Sequence, residues 1–198
     1  MTLLPIRTIG DPVLREACRD VEEFDQSLRS LHADMLETMY KAPGVGLAAS
    51  QIGLSLRFFV YDPARGAGPG ALANASIVAA EGEVEMEEGC LSIPELWAPR
   101  TRPAWVRIRG QNLEGESVEL EGEDLLARIF QHETDHLNGI LFIDHLPDTE
   151  RRRVMGLLRQ RDLAAAVRPG AAGRRADPAG LPDPAPKPRA NRSRPPRT

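Results

Sequence analysis

The segment His132-Glu-Thr-Asp-His136 constrains the fold more than any other part of the chain. Residues four apart lie one turn apart on the same face of an α-helix, so the two imidazoles can bind one ion if this segment is helical. Glu133 then lies about 100° around the helix, where it can reach a water on that ion. Leu125 and Ile129 precede the histidines on the same face, which we therefore expect to point into the core. The sequence predicts a metal-binding helix; the alternative is a solvated face that carries these residues by chance.

A catalytic site of the zinc type needs a third protein ligand and one open position. Phe142 stands where a metzincin would place its third histidine, which excludes that class. His145 lies beyond the predicted end of the helix, and Glu150 falls in the first turn of the next helix, where acids commonly complement the helix dipole. Cys90 is better placed, because Gly89 permits a close backbone approach and a thiolate is a soft ligand. The alternative for Cys90 is a buried structural cysteine.

Hydrophobic periodicity and turn residues predict elements on both sides of this helix. Asp25 is expected to cap an amphipathic helix that ends at Pro43-Gly44, and residues 44–51, which have no period, are interpreted as a packed turn. Alternation predicts a hairpin of residues 106–109 and 118–121. The remaining predictions are strands at 58–61, 77–78, 84–86 and 90–93, the metal-binding helix between Asp124 and Asn138-Gly139, and helical segments at 11–18 and 149–167.

Charge is distributed unevenly along the 198 residues. Residues 168–198 contain eight arginine or lysine residues and two aspartates, which gives a net charge of +6. Since the net charge of the whole chain is −4, the net charge of residues 1–167 is −10. We therefore expect no general or specific nucleic-acid binding by the body. Residues 168–198 also contain eight prolines and no aromatic residue, too little apolar surface to offset the entropy of ordering. The sequence predicts a catalytic domain at 1–167 and a disordered tail at 168–198.

The two cysteines, Cys18 and Cys90, indicate a reducing compartment. They lie far apart in a chain that is large enough to fold without a crosslink, so no disulfide framework is expected. The first residues lack the pattern of a secretion signal, and no segment approaches the roughly 18 apolar residues of a membrane span. We expect a cytoplasmic protein without a membrane partner.

Three segments taken together resemble the signature motifs of the peptide deformylase family, in the order and at the spacing of that family. They are Gly44-Val-Gly-Leu-Ala-Ala-Ser-Gln51, Glu88-Gly-Cys-Leu-Ser92 and Gln131-His-Glu-Thr-Asp-His-Leu-Asn-Gly139. The resemblance extends to Gly10–Arg15 and Leu141–Asp144, and so covers about residues 3–165. The chain departs from the family at Ser50, where proline is usual, and at Asn74-Ala-Ser76, where Asn-Pro-Glu is common.

The resemblance implies an α+β fold in which antiparallel β-sheets pack around a central HExxH helix, with N-terminal and C-terminal helices. It also implies hydrolysis of the N-formyl group of newly made chains that begin with methionine, with release of formate. By resemblance, the metal ligands are Cys90, His132 and His136, Glu133 is the general acid and base, and Gln51 and the Leu91 backbone N–H stabilise the oxyanion. Val45 and Gly46 are expected to line the substrate cleft, with Gly89 and Ile129 beside it.

The family favours Fe²⁺ as the single ion, with Zn²⁺, Ni²⁺ and Co²⁺ as alternatives that a Cys/His₂ set also accepts. The expected partners are N-formylmethionyl nascent peptides and, through the basic tail, the ribosome near its exit tunnel; the expected state is a monomer. Two other functions stay open from the residues alone. One is a broader HExxH metallopeptidase. The other is a non-catalytic module with a structural ion, for which the sequence offers no convincing fourth ligand.

Overall fold

Residues 2–63 and 68–167 are described by a computed structural model, and they form the predicted α+β fold. The chain divides into two units, residues 1–159 and 160–198, and the metal-binding segment belongs to the first. The tail predicted at residues 168–198 lies outside the described residues. The helices are α1 (Gln26–Lys41), α2 (Asp124–Leu137) and α3 (Asp148–Val167), with 3₁₀ turns at Pro12–Arg15, Ala49–Ile52 and Phe142–His145.

Two antiparallel sheets provide the frame of the first unit. The strands are β1 (Gly46–Ala48), β2 (Phe58–Tyr61), β3 (Gly70–Glu81), β4 (Val84–Cys90), β5 (Ile93–Arg102), β6 (Trp105–Gln111) and β7 (Ser117–Glu123). Five of them form one sheet in the order β1-β2-β3-β6-β7, and β4 pairs with β5 in a separate two-stranded ribbon. The ribbon therefore carries Cys90 to α2 independently of the larger sheet.

The helix α2, which carries the two predicted histidine ligands, has two apolar faces. One packs on the five-stranded sheet through the fully buried Ala127, Phe130 and Leu137. The other carries Leu125 and Ile129, and it lines an open cleft. The prediction that Leu125 points into the core is wrong, because this side chain is 38% exposed. Helical spacing alone could not separate the two faces, since each repeats at intervals of three or four residues.

Two boundaries also differ from the prediction. The helix α2 begins at Asp124 itself, with Glu123 at the N-cap and no side-chain cap bond. The strand predicted at residues 90–93 is instead the end of β4 at Cys90, a turn at Leu91 and Ser92, and the start of β5 at Ile93, with a register shift between Gly89 and Cys90. This turn places Cys90 at the end of a strand, where its side chain is free to face α2.

Other predicted elements are confirmed. The Asp25 carboxylate accepts hydrogen bonds from the backbone N–H groups of Ser27 and Leu28 at the start of α1, and β6 and β7 form the predicted hairpin.

Both cysteines are free thiols, and Cys18 is a packed residue with 7% exposure. None of the helices within residues 2–63 and 68–167 combines the length and hydropathy that crossing a bilayer requires.

Candidate metal centre

The three predicted ligands come together from two elements. His132 and His136 lie one turn apart on α2, and Cys90 is the last residue of β4. Each residue offers one ligand atom, and these atoms all lie within 4.8 Å of one another. The Cys90 Sγ is 3.2 Å from the His136 Nε2, and the two imidazole centroids are 5.0 Å apart. Thiolate and imidazole donors at these separations suit a single transition-metal ion.

The surroundings of the two histidines leave a ring nitrogen of each available. The His132 Nδ1 lies 2.8 Å from the Glu88 Oε1, and a carboxylate only accepts, so Nδ1 carries the hydrogen and Nε2 is left for an ion. Burial lowers the pKa of His132, but its hydrogen bonds to Cys90 and Glu88 outweigh that effect and raise the pKa well above the usual value, so an ion that binds Nε2 must displace a proton. Burial lowers the pKa of His136 well below the usual value, which favours the neutral, metal-binding form.

The ligand group has the composition of a catalytic site, not of a structural one. Within the part of the chain that the structure describes, the group contains Cys90, His132 and His136 and no fourth histidine, cysteine or carboxylate. Three protein ligands with an open position are typical of catalytic ions, whereas structural ions have four. Glu150, the acid weighed as a ligand, instead pairs with Arg153 on α3.

Glu133 is buried beside these ligands and has few partners. It is 3% exposed, and its Oε2 has no hydrogen-bond partner among the described residues. Burial raises the pKa of Glu133 to about 7, although the nearby His132 charge opposes the shift. Gly46 makes room for the carboxylate, because a Cβ atom at that position would lie 2.3 Å from the Glu133 Oε1. A carboxyl group with this pKa can take up and release a proton near neutral pH.

Glu88 is part of the site, although the sequence analysis did not single it out as a functional residue. It is 3% exposed and pairs with three arginines as well as His132. The Arg102 Nη2 donates to it at 2.6 Å and the Arg128 Nη1 at 2.8 Å, and the Arg100 Nη1 lies 3.3 Å away. Burial would raise the pKa of Glu88, but Arg102 and His132 hold it well below its usual range. The signals that the sequence offered were its position two residues before a candidate ligand and its place at the start of the segment Glu88–Ser92, which resembles a family motif.

The two predicted oxyanion donors, Gln51 and Leu91, come from different elements next to Cys90. Gln51 is 1% exposed in the 3₁₀ turn after β1, and its Nε2 is 3.5 Å from the Cys90 Sγ. Leu91 follows Cys90 directly in the turn between β4 and β5 and lines the cleft. The strand β1 and the β4–β5 turn therefore bring both residues to the ligand group.

A cleft of about 570 Å³ opens onto the site. The predicted substrate residues Val45, Gly46, Gly89 and Ile129 all line it, together with Gln51, Cys90, Leu91, His132 and Glu133. His136 lies behind the cleft and is 1% exposed. Phe142 packs against the His132 ring, with the ring centroids 6.4 Å apart. Most of the lining is apolar, which suits an uncharged side chain more than a charged one.

The two departures from the family pattern do not contact the ligands. Ser50 is fully buried in the same 3₁₀ turn as Gln51. In the second departure the changed residues are Ala75 and Ser76 of β3: Ala75 is fully buried in the core beside the five-stranded sheet, and Ser76 pairs with Arg109 of β6. These residues support elements near the site without entering it.

Comparison with known proteins gives a consistent result. A family model described as polypeptide deformylase matches residues 3–152. The chain is 50% identical over 164 residues to a peptide deformylase of Acidothermus cellulolyticus, covering 83% of this chain and 90% of that protein. It is 48% identical over 166 residues to a peptide deformylase of Thermotoga neapolitana, covering 82% and 98%.

Solved structures agree with the sequence relatives. The crystal structure of a peptide deformylase from Legionella pneumophila is similar with a TM-score of 0.79 and 40% identity, over 85% of this chain and all of that one. A peptide deformylase from Synechococcus elongatus, solved in complex with actinonin, is similar with a TM-score of 0.75 and 37% identity, over 80% of this chain and 88% of that one.

Proposed function

The chain belongs to the polypeptide deformylase family, and from this premise we propose which residues of its cleft bind the ion and perform the reaction. The protein is a metal-dependent hydrolase that removes the N-formyl group from the N-terminal methionine of newly synthesised proteins and releases formate. The observation that carries the assignment of residues is the convergence of the Cys90, His132 and His136 donor atoms within 4.8 Å.

These three residues hold the ion. Its identity in this protein is Fe²⁺ by family resemblance, with Zn²⁺, Ni²⁺ and Co²⁺ as alternatives that the same donor set accepts. When bound, such an ion supplies Lewis-acid chemistry, because it acidifies water and polarises a carbonyl group. Glu88 holds the His132 ring in the tautomer that leaves Nε2 for the ion, since its Oε1 lies 2.8 Å from Nδ1.

Glu133 moves the proton. It takes the proton from the attacking water and later gives it to the amine that leaves, so one carboxyl group acts first as base and then as acid. The pKa of about 7 suits both steps near neutral pH. Glu133 differs from Glu88 in having no arginine paired with it among the described residues, whereas three arginines pair with Glu88.

Gln51 and the Leu91 backbone N–H stabilise the negative charge that develops on the formyl oxygen. The support is that both residues line the cleft, and that the Gln51 Nε2 lies beside the ligand Cys90. Removing one donor of this kind typically lowers kcat about 100- to 1,000-fold. Val45, Gly46, Gly89 and Ile129 form the walls along which the substrate lies.

Ligand assignment is tested by a pair of cysteine substitutions. Cys90→Ala should lose the ion and the activity, because two imidazoles alone bind a divalent ion weakly. Cys18→Ala is the matched control, since Cys18 is buried outside the cleft and should retain both. Metal analysis of both variants, purified without oxygen, measures the ion content and also identifies the ion. Retention of the metal by Cys90→Ala would overturn the assignment.

Substrate selection separates the deformylase from a general HExxH metallopeptidase. Metal-loaded protein is incubated with formyl-Met-Ala-Ser, with the acetyl analogue and with a peptide blocked at both ends, and formate and new amines are measured. Formate from the first substrate alone is expected, because a pocket closed behind the formyl hydrogen excludes the acetyl methyl group by steric clash. A pocket near Val45 and Ile129 takes the methionine side chain, and one methylene there is worth only about 1–3 kcal/mol. Cleavage inside the blocked peptide without formate would favour the peptidase.

The remaining proposals concern the whole chain. We infer a catalytic domain at residues 1–167, a cytoplasmic monomer, and a tail at 168–198 whose net charge of +6 draws the enzyme toward ribosomal RNA near the exit tunnel. Truncation after Val167 should leave hydrolysis of short formyl peptides unchanged and weaken salt-sensitive cosedimentation with ribosomes. Unchanged cosedimentation would remove the role of the tail without affecting the assigned chemistry.

A further inference from the structure

We propose that Ser92 is a positioning residue that holds the Gln51 side-chain amide with its N–H directed to the reaction site. This inference rests on the oxyanion role of Gln51 proposed above. Ser92 lies in the turn between β4 and β5, two residues after the ligand Cys90, and it is fully buried. Its hydroxyl oxygen accepts a hydrogen bond from the Gln51 Nε2 at 3.2 Å.

The orientation of the Gln51 amide follows from a partner that can only donate. The backbone N–H of Ala48 donates to the Gln51 Oε1 at 2.9 Å, so the oxygen end of the amide is fixed on that side. The Nε2 end must then face Ser92 and Cys90, at 3.2 and 3.5 Å. The hydrogen bond from the Ala48 N–H thus fixes which end of the amide faces the ligands, and the hydrogen bond to the Ser92 hydroxyl fixes the position of that end.

The main chains of Gln51 and Ser92 are joined by a third segment. The Arg7 N–H donates to the Gln51 carbonyl oxygen at 2.7 Å, and the Ile9 N–H donates to the Ser92 carbonyl oxygen at 2.9 Å. Two residues of one short extended segment therefore hold the turn after β1 and the turn after β4 at a fixed separation. Leu91, the other proposed oxyanion donor, lies between Cys90 and Ser92, so the same bonds set the distance between the two donors.

Loss of the Ser92 hydroxyl should affect the chemical step more than substrate binding. The Gln51 Nε2 would retain the Cys90 Sγ as its remaining partner in this group, and the amide would be free to turn toward the sulfur. A displacement of about 1 Å at a reacting group can lower a rate by about 100-fold. Since the amide is retained, the expected loss is smaller than the loss on deleting Gln51.

A double-mutant cycle tests whether Ser92 acts through Gln51. Wild type, Ser92→Ala, Gln51→Ala and the double variant are prepared as metal-loaded enzymes, and kcat and KM are measured with formyl-Met-Ala-Ser. We expect Ser92→Ala to lower kcat about tenfold with KM within about twofold. In the Gln51→Ala background, the same substitution should change kcat by less than about twofold, because residues that act as a unit are not additive. Metal content and thermal midpoint are measured for all four proteins.

Matched variants define the size of a merely structural effect. Ser50→Ala removes a hydroxyl that is equally buried and adjacent to Gln51 but is not among the partners of its amide, and it should leave kcat within about twofold. Ser92→Thr keeps the accepting oxygen and should restore most of kcat. If Ser92→Ala does not fold, Ser92→Cys carries the same cycle, because a thiol has nearly the same shape and is a weak acceptor.

Each other outcome overturns the proposal in a distinguishable way. An equal loss of kcat from Ser92→Ala in both backgrounds would show that Ser92 acts independently of Gln51. Loss of the ion from Ser92→Ala would show that it acts on Cys90 instead. An unchanged kcat in Gln51→Ala would remove the oxyanion role of Gln51 itself, and with it the role of Ser92, while formate release by the wild type would still identify the enzyme.

Discussion

Two glutamates of the first unit, Glu88 and Glu133, are equally buried and have opposite electrostatic surroundings. Each is 3% exposed. Glu88 contacts three arginines and the His132 Nδ1, and its pKa lies well below the usual range because Arg102 and His132 outweigh burial. The Oε2 of Glu133 has no hydrogen-bond partner in the described residues, and burial raises its pKa to about 7.

The difference shows that partners, and not burial, decide what a buried carboxyl group does. Glu88 stays charged throughout the neutral range, so it can hold an imidazole and neutralise arginines but cannot exchange a proton. Glu133 lies next to the same histidine but has fewer partners for its charge, so it can exchange a proton near neutral pH, as its proposed role requires. Glu88 on β4 is therefore a carboxyl group that stays charged, whereas Glu133 on α2 is one that can exchange a proton.

The largest expected effect comes from replacing Glu133 by a side chain that cannot exchange a proton. Glu133→Gln keeps the shape and the burial of the side chain, and it should retain the ion and the thermal midpoint. General acid–base groups typically contribute about 10² to 10⁴ in rate, so we expect kcat to fall about 10³-fold or more. Formate release is the assay, with metal content measured on the same sample. Near-normal turnover by the metal-loaded variant would show that another group carries the proton.

The placement of the two candidate ligands on α2 could be predicted because their geometry is local. His132 and His136 are one turn apart in any α-helix, and Glu133 follows from the same periodicity. Cys90 required elimination among few candidates, and the roles of Gln51 and Leu91 came only from family resemblance. Only the pattern on α2 lies within one short segment, which is where sequence patterns are most reliable.

The Glu88 cluster could not be predicted, because its members are joined by pairing between segments. Arg100 and Arg102 lie 12 and 14 residues from Glu88 and reach it across the β4–β5 ribbon, and Arg128 lies 40 residues away on α2. The two apolar faces of α2 were indistinguishable for a related reason. Whether Leu125 faces a core or a cleft depends on what packs against it, and no local period contains that information.

A smaller effect, on the affinity for the ion, is expected from removing the negative charge of Glu88. Glu88→Gln should raise the dissociation constant of the ion about 10- to 100-fold, because the second partner of a ligating histidine is typically worth that much. Glu85→Gln is the matched control: it lies on the same strand, is exposed, and should leave metal affinity within about twofold. Affinity is measured by competition with a chelator. Equal effects of both substitutions would mean that the Glu88 contact to His132 is unimportant for the ion.

The smallest effect is the part of the pH dependence of stability that comes from Glu88. Its folded-state pKa is depressed, and in the unfolded chain the group titrates near its ordinary value of 4.5. Its contribution to the free energy of unfolding is therefore fully present above about pH 4.5 and is lost progressively as the pH falls toward the folded-state pKa. The loss approaches about 1.4 kcal/mol per pH unit at its steepest.

Urea unfolding of the metal-free protein at several pH values between 6 and 3.5 measures this contribution without interference from metal release. Glu88→Gln cannot titrate at this position, so the stability difference between wild type and Glu88→Gln should be constant above about pH 5 and should narrow by about 1 kcal/mol between pH 4.5 and 3.5. The difference between wild type and Glu85→Gln should stay near zero throughout, because Glu85 is exposed and charges at exposed positions contribute little to stability. If the stability difference between wild type and Glu88→Gln does not narrow, the ion pairs of Glu88 with the arginines do not stabilise the fold. The two glutamates would then differ only in which carboxyl group faces the cleft.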